Sequence, residues 1–312
     1  MSAQPPPAGR ATGDRIDDLL AKTSRTFALS IPLLPEPTRR QVAVAYLLFR
    51  IADTFEDATL WGPRRQGRAL LELAMLLAEG SEGAAAEAKA AAWRSSPPLG
   101  HAGYLELLEE TPRVVASFHR LAAQSRHILR RHLRRTLAGM AWVARRRRGG
   151  SDLRLADLGE LRGYCYVVAG IVGEMLTDVY LHDHRSLAPV AEALRQRAAI
   201  FGEGLQLVNI LKDAAVDAGE GRVFLPPGTP RSEVLALARR DLDAAADYVL
   251  ALQQVAAPRG LVAFNALPVL LARASLQRLE AEGPGAKLAR PEVFEILAAL
   301  EGALDAGEPV IS

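Results

Sequence analysis

The sequence predicts an all-α protein, and three observations carry that prediction. Ala, Leu, Arg and Glu, all good helix formers, dominate its composition. Apolar residues recur at spacings of three and four along most segments, the period of a helix face. No alternating apolar and polar run marks a strand, and no fixed-period repeat marks a solenoid.

The elements follow in order. After Pro35-Glu36-Pro37, a helix is expected from Thr38 to Leu60, with Thr38 as its cap. Residues Arg68 to Trp93 read as helix broken at Gly80-Ser81-Glu82-Gly83, and Ser95-Ser96-Pro97-Pro98-Leu99-Gly100 forms the next break. A long helix is expected from about Pro112 to Arg148, stopped by Gly149-Gly150. Tyr164 to Tyr180 is apolar nearly all round, so it reads as a central buried helix. Its Ala169, Gly170 and Gly173 would let a neighbouring helix approach closely. Arg195 to Asp217 forms another helix ended by Gly219-Glu220-Gly221, and helices resume over Ser232 to Val255, Gly260 to Glu282 and Pro291 to Leu304.

A chain of 312 residues suffices for one large helical core, with 49% hydrophobic and 24% charged residues, close to ordinary globular usage. The expected organisation is a disordered tail over 1–14, a single helical domain over 15–305 and a C-terminal tail over 306–312. A formal charge of +2 names no partner. The single cysteine, Cys165, excludes an internal disulfide and fits a reducing compartment. The N-terminal stretch Met1 to Gly9 lacks the apolar core of a signal peptide, and the longest apolar runs fall short of the roughly twenty residues that span a bilayer. A cytoplasmic protein is expected, with peripheral contact at the inner face of the membrane kept open.

The chemistry concentrates in two acidic clusters, Asp53-Thr54-Phe55-Glu56-Asp57 and Asp213-Ala214-Ala215-Val216-Asp217. Aspartates four residues apart project from one helix face. Two such faces opposite each other would form a cage of hard oxygen ligands suited to magnesium and a diphosphate. Stepping back along the first helix from Asp57 gives Asp53, Arg50 and Tyr46; the second helix aligns Gln206, Asn209, Asp213 and Asp217, with Lys212 beside them as a point charge for phosphate. An intrahelical salt bridge would explain Arg50 alone. The apolar neighbours Ala43, Val44, Leu47, Leu48, Ile51 and Ala52 argue further, because burying so many ionisable groups is costly without a compensating ion or ligand.

These landmarks are those of a known family. Ser24-Arg25-Thr26-Phe27, the Tyr46 to Asp57 stripe, Tyr164 to Gly173, Gln206 to Asp217 and Gly221-Arg222-Val223-Phe224-Leu225-Pro226 stand in its order, so the chain resembles the squalene/phytoene synthases from about Lys22 to Leu279. The resemblance implies an isoprenoid synthase fold, a helical bundle around a central cavity with both acidic motifs at its mouth. It implies head-to-head joining of two prenyl diphosphates through a cyclopropylcarbinyl diphosphate. Asp53, Glu56, Asp57, Asn209, Asp213 and Asp217 would serve Mg2+, while Arg25, Arg50 and Lys212 would meet diphosphate. Ser24, Phe27, Tyr46, Tyr164 and Gln206 would line the reaction zone. Asp53, Asp57, Asp213 and Tyr164 form the expected catalytic set, Tyr164 handling a proton or steadying a cation. Two departures stand in the second motif: Val216 replaces the glutamate of many relatives, and Lys212 their arginine.

The form Asp-Thr-Phe-Glu-Asp resembles squalene synthases more than phytoene synthases. Squalene from two farnesyl diphosphates is therefore the expected product. It requires hydride from NADPH, with no Gly-x-Gly-x-x-Gly unit to bind it. The alternatives are phytoene from two geranylgeranyl diphosphates, or a relative stopping at dehydrosqualene or hydroxysqualene.

A different class of function comes from the arginines. Between Glu110 and Asp152 there is no acidic residue, while Arg113, Arg120, Arg126, Arg130, Arg131, Arg134, Arg135 and Arg145 to Arg148 crowd the stretch. A solvated basic face is the plainer reading of this stretch; sparse aromatic interleaving argues against nucleic acid, and rest on an anionic membrane is kept open as a secondary role. A non-catalytic helical assembly protein on the same fold should have lost its acidic ligands, and the first cluster is whole. The six histidines form no zinc pattern, and Cys165 in an apolar helix reads as a structural thiol.

Overall fold

The structure, a computed structural model, describes residues 12–24, 27–81, 83–146 and 153–311. Arg25 of the expected diphosphate set lies outside them, as do residues 1–11 of the expected tail and the Gly149-Gly150 stop.

The chain runs through α1 (Thr12–Thr23), a short α2 (Phe27–Ser30) with a 3-10 turn, α3 (Thr38–Glu56), α4 (Pro63–Leu76), α5 (Ala84–Ser95), α6 (Ala102–Glu109), α7 (Thr111–His119) and α8 (Ala123–Arg146). After β1 (Leu153–Arg154) come α9 (Leu158–Cys165), a π-helical segment Tyr166–Gly170, and α10 (Ile171–Asp183). A 3-10 turn leads into α11 (Ala191–Gly219), and β2 (Arg222–Val223), α12 (Arg231–Gln254), α13 (Arg259–Glu282) and α14 (Arg290–Ala306) complete the chain. The only sheet among the described residues is the two-residue parallel pairing of β1 with β2.

Helix α3 is central because Leu47, Leu48, Ile51 and Phe55 are fully buried on it. Phe55 lies between the rings of Trp61 and Trp93, at 5.7 and 4.7 Å. The small residues expected to admit a neighbour meet α11. A Cβ on Gly173 would stand 1.9 Å from the Ala198 carbonyl oxygen, and one on Gly202 would stand 2.1 Å from that of Ala169. Backbone contact at these points holds α11 against the α9–α10 run.

Several expected boundaries move for local reasons. Thr38 does not cap α3; its hydroxyl donates to Asp183 Oδ2 at 2.6 Å, tying α3 to the end of α10. The long helix breaks after His119, where no glycine or proline stands. There Arg126 Nη1 donates to the carbonyls of His119 and Leu121 at 3.2 and 2.7 Å, satisfying the end of α7. The C-terminal residues expected as a tail are held: Gln253 Nε2 donates to the Glu308 carbonyl, the Val310 amide donates to Gln253 Oε1, and Ile311 is buried. At the other end α1 begins at Thr12, inside the expected tail. Leu158–Asp183 and Arg259–Glu282 are long and apolar enough to cross a membrane by length and composition, contrary to the expectation from apolar runs. Both are packed within the bundle, where 44% and 56% of their most apolar windows is buried.

Candidate active site

Both acidic clusters sit at helix C-termini, Asp53, Glu56 and Asp57 closing α3 and Asp213 and Asp217 closing α11. The negative end of a helix dipole is an unfavourable place for carboxylates, so each cluster calls for a cation. The protein supplies one shared between them. The Arg222 guanidinium lies 3.2 Å from Asp57, 3.0 Å from Asp217 and 2.6 Å from Glu220, with only 14% of its side chain exposed.

Arg222 is delivered by local structure. Gly221 turns the chain at a φ of 75°, a conformation glycine adopts without strain, and its carbonyl accepts from the Leu153 amide at 2.8 Å. The β1–β2 pairing then pins Arg222 between the two acidic helix ends.

Asp53 and Asp57 keep 41% and 50% of their side-chain surface. Burial pushes the Asp53 carboxyl up to about 6, against the pull of Arg50. Burial, then the charges of Asp57 and Asp53, push Glu56 up to about 8. Asp57 and Asp217 are also raised, first by burial, although Arg222 opposes the shift in both. Burial is the leading cause in all four, so a cation bound among them would favour their charged forms.

Behind them lies Tyr164, buried at the end of α9, whose hydroxyl donates to Glu56 Oε1 at 3.1 Å. Its ring stacks on Phe224 at 4.6 Å, and burial raises its phenol well above the ordinary range. Arg50 reaches Asp53 at 3.3 Å, bonds the Tyr104 hydroxyl and lies over the Tyr104 ring at 4.6 Å. Its Nε is buried without a partner among the described residues. The Tyr46 hydroxyl donates to the Thr23 carbonyl at 3.3 Å within reach of Ser24, and its ring meets Phe27 at 5.5 Å. Phe27 also meets Phe264 at 6.1 Å, so Ser24, Phe27 and Tyr46 form one mixed polar and aromatic wall.

The second stripe is less gathered. Gln206 is half-buried and Asn209 exposed. Lys212 lies along its own helix, 3.2 Å from Asn209 Oδ1 and 3.4 Å from Asp213. Val216 is exposed. The structure thus joins Asp57 to Asp217 through Arg222, and leaves Asn209 and Asp213 with Lys212.

Among the described residues no three His, Cys, Asp or Glu side chains converge on one point as a ready metal cage. Magnesium does not require one, since it commonly takes one or two carboxylates and completes its shell with water and substrate phosphates. The oxygen donors fit it: Asp53, Glu56 and Asp57 on one helix end and Asp213 and Asp217 on the other could each share an ion with a diphosphate.

Sequence reasoning gave no role to Arg222, Phe224 or Tyr104. The first two stand in the Gly221 to Pro226 landmark, directly after a helix-ending glycine turn, which was the available signal. Nothing in the sequence around Tyr104 marks it.

The sequence profile described as squalene/phytoene synthase matches residues 20–227, which include both clusters and Arg222. The squalene synthase of Eremothecium gossypii is 28% identical over 219 residues, 70% of this chain and 47% of its own. The Botryococcus braunii squalene synthase LSS is 30% identical over 211 residues, 67% of this chain and 41% of its own. The chain therefore spans less than half the length of these curated relatives. In fold it is similar to TcSQS in complex with E5700, with a TM-score of 0.73 and 22% identity over 95% of this chain and 90% of that one. A dehydrosqualene synthase complex gives 0.59 and 18% over 95% and 97%. The isoprenoid synthase bundle expected from the sequence is the observed fold.

Proposed function

Because the chain belongs to the squalene/phytoene synthase family, we propose that it is a prenyltransferase joining two farnesyl diphosphates head to head, through a cyclopropylcarbinyl diphosphate, to give squalene. The observation that carries this reading is the Asp57–Arg222–Asp217 bridge, which sets two acidic helix ends on one mouth above Tyr164 and Phe224. The curated squalene synthases of Eremothecium gossypii and Botryococcus braunii support the choice of squalene.

In this reading each residue has a defined task. Asp53, Glu56, Asp57, Asp213 and Asp217 would hold magnesium, which would supply positive charge to offset the negative charge of the leaving diphosphate. Arg50, beside Asp53, and Arg222, beside Asp57 and Asp217, offer guanidinium groups to the diphosphate oxygens. Tyr164 and Phe224 offer electron-rich faces to the allylic cation, and the Ser24, Phe27 and Tyr46 wall holds the prenyl tails away from water. Tyr164, bonded to Glu56, can also pass a proton between hydroxyl and carboxylate. Hydride from NADPH would quench the final cation. No residue is assigned to NADPH, since the described residues hold no strand, glycine turn and helix unit for a dinucleotide. A cytoplasmic location belongs to the same proposal.

The test is purified protein with farnesyl or geranylgeranyl diphosphate, with and without Mg2+ and NADPH, and chromatographic identification of the hydrocarbon. Squalene from farnesyl diphosphate with NADPH is expected. Phytoene from the longer donor, or dehydrosqualene or hydroxysqualene despite NADPH, would replace the product assignment. Asp53→Asn and Asp213→Asn preserve shape and remove charge, so turnover should fall by about a hundredfold or more, the scale of a lost charge-stabilising group. Wild-type-like turnover of either variant at limiting Mg2+ would remove that residue from the metal-binding role.

A further inference from the structure

In the acid-free stretch Arg113 pairs with Glu110, and Arg120 and Arg126 donate to Ser117 and to backbone carbonyls. Arg130, Arg131, Arg135 and Arg146 are paired with Glu79, Asp178, Glu174 and Glu160, acids brought in from outside the stretch. Arg134 and Arg145 on α8 are exposed and have no ion pair among the described residues. The same holds for Arg64 and Arg68 on α4.

These four lie on one face. On α4, Arg64, Arg68, Leu71 and Met75 follow spacings of four, three and four, a single stripe pointing outward. On α8, Arg134, Trp142 and Arg145 form the matching exposed stripe. The two helices touch along their flanks, where a Cβ on Gly67 would stand 3.3 Å from the Ala141 carbonyl and 3.5 Å from Arg145 Cγ. Arg68 and Trp142 each follow a residue of that contact, so the stripes run side by side. Met75 is 69% and Trp142 55% exposed, unusual for such side chains, and the Arg146 guanidinium lies over the Trp142 ring at 4.8 Å. The neighbouring acids are engaged elsewhere: Glu72 binds Lys89 and Trp93, and Glu79 binds Arg130.

We infer that the α4–α8 face docks on an anionic lipid bilayer. Free guanidinium groups flanking an indole, a thioether and a leucine combine the two requirements of interfacial binding: attraction to acidic headgroups and insertion of apolar side chains beneath them. An aqueous macromolecular partner would use the charges without needing Met75 and Trp142. The loop from α3 to α4 carries the 66% exposed Leu60 between Asp57 and Arg64, so one end of the face borders the first acidic cluster.

The chain reports its own docking. It has three tryptophans, of which Trp61 and Trp93 are buried, so a change in tryptophan emission on adding vesicles reads Trp142. The experiment compares phosphatidylcholine vesicles with vesicles of phosphatidylcholine and phosphatidylglycerol in equal parts, by flotation and by emission. Binding to the anionic vesicles with a blue-shifted emission, weakened by salt, is expected. Each of Arg64→Gln, Arg68→Gln, Arg134→Gln and Arg145→Gln should lower partitioning by about fivefold, the effect of about 1 kcal/mol per basic residue beside an anionic surface. Phe294→Ser, on exposed α14, should leave it unchanged. Equal binding to both vesicle types, unshifted emission on bound vesicles, wild-type partitioning of the Gln variants, or preference for a duplex oligonucleotide over anionic vesicles would overturn the inference.

Discussion

The Tyr164 hydroxyl donates to Glu56 Oε1 across 3.1 Å, joining α9 to the end of α3. The bond satisfies a buried phenol and holds down a carboxyl that burial and two neighbouring aspartates push up to about 8. Tyr164→Phe keeps the stacking on Phe224 and removes only the donor. A hydrogen bond to a charged group contributes about 1.5–3 kcal/mol, so turnover should fall on the order of ten- to a hundredfold. Steady-state kinetics with circular dichroism check it; full activity in a folded variant would free Tyr164 of any chemical role.

Arg222 is the cation common to both acidic helix ends, and removing it leaves Asp57, Asp217 and Glu220 facing one another. Arg222→Gln should lower kcat/KM by about a hundredfold, the scale of a lost charge-stabilising group. Arg222→Lys restores the charge without the fork that reaches two carboxylates at once, so it should recover only part of the loss. Full recovery with Lys would show that charge alone matters there.

The contrast between Arg222 and the aspartates shows what was legible in the sequence. Asp53 and Asp57 declare themselves by local spacing, because side chains four apart on a helix share a face. Arg222 acts through a glycine turn and a two-residue strand pairing to a segment nearly seventy positions away, which no local period encodes. The break after His119 was hidden for a similar reason: Arg126, rather than a glycine or proline, satisfies the end of α7. Thr38 had the chemistry of a cap, yet Asp183 offered its hydroxyl a partner from another helix. The small residues were read correctly as a close-packing surface, since a missing Cβ has the same consequence whichever helix arrives.

That close packing sets two glycines in opposition. Gly→Ala inside a helix gains about 1 kcal/mol of propensity. At Gly173 the new methyl would stand 1.9 Å from the Ala198 carbonyl, a contact with rigid backbone. Overpacking of this kind costs about 1–3 kcal/mol and sometimes more, so Gly173→Ala should be destabilising. Gly302, inside α14, has nothing within 4 Å of its Cβ position, and Gly302→Ala should stabilise by up to about 1 kcal/mol. Urea unfolding of both variants checks the opposite signs.

Asp241 on α12 is a buried carboxyl away from the proposed chemistry. Burial, then the charge of Glu203 on α11, push it up to about 6, while Arg162 and Arg240 act against the shift. Its Oδ2 has no hydrogen-bond partner among the described residues. Since the folded value lies above the unfolded one, the native state binds the proton more tightly. The associated stability is fully present below the ordinary carboxyl range and is lost as pH rises through about 6. The difference from the ordinary 3.8 corresponds to on the order of 3 kcal/mol. Asp241→Asn removes the titration while keeping the shape. Its stability relative to the native protein should therefore rise between about pH 4 and about pH 7. Urea unfolding of both proteins across that range measures it, and parallel pH profiles would show that Asp241 is already ionised in the folded chain.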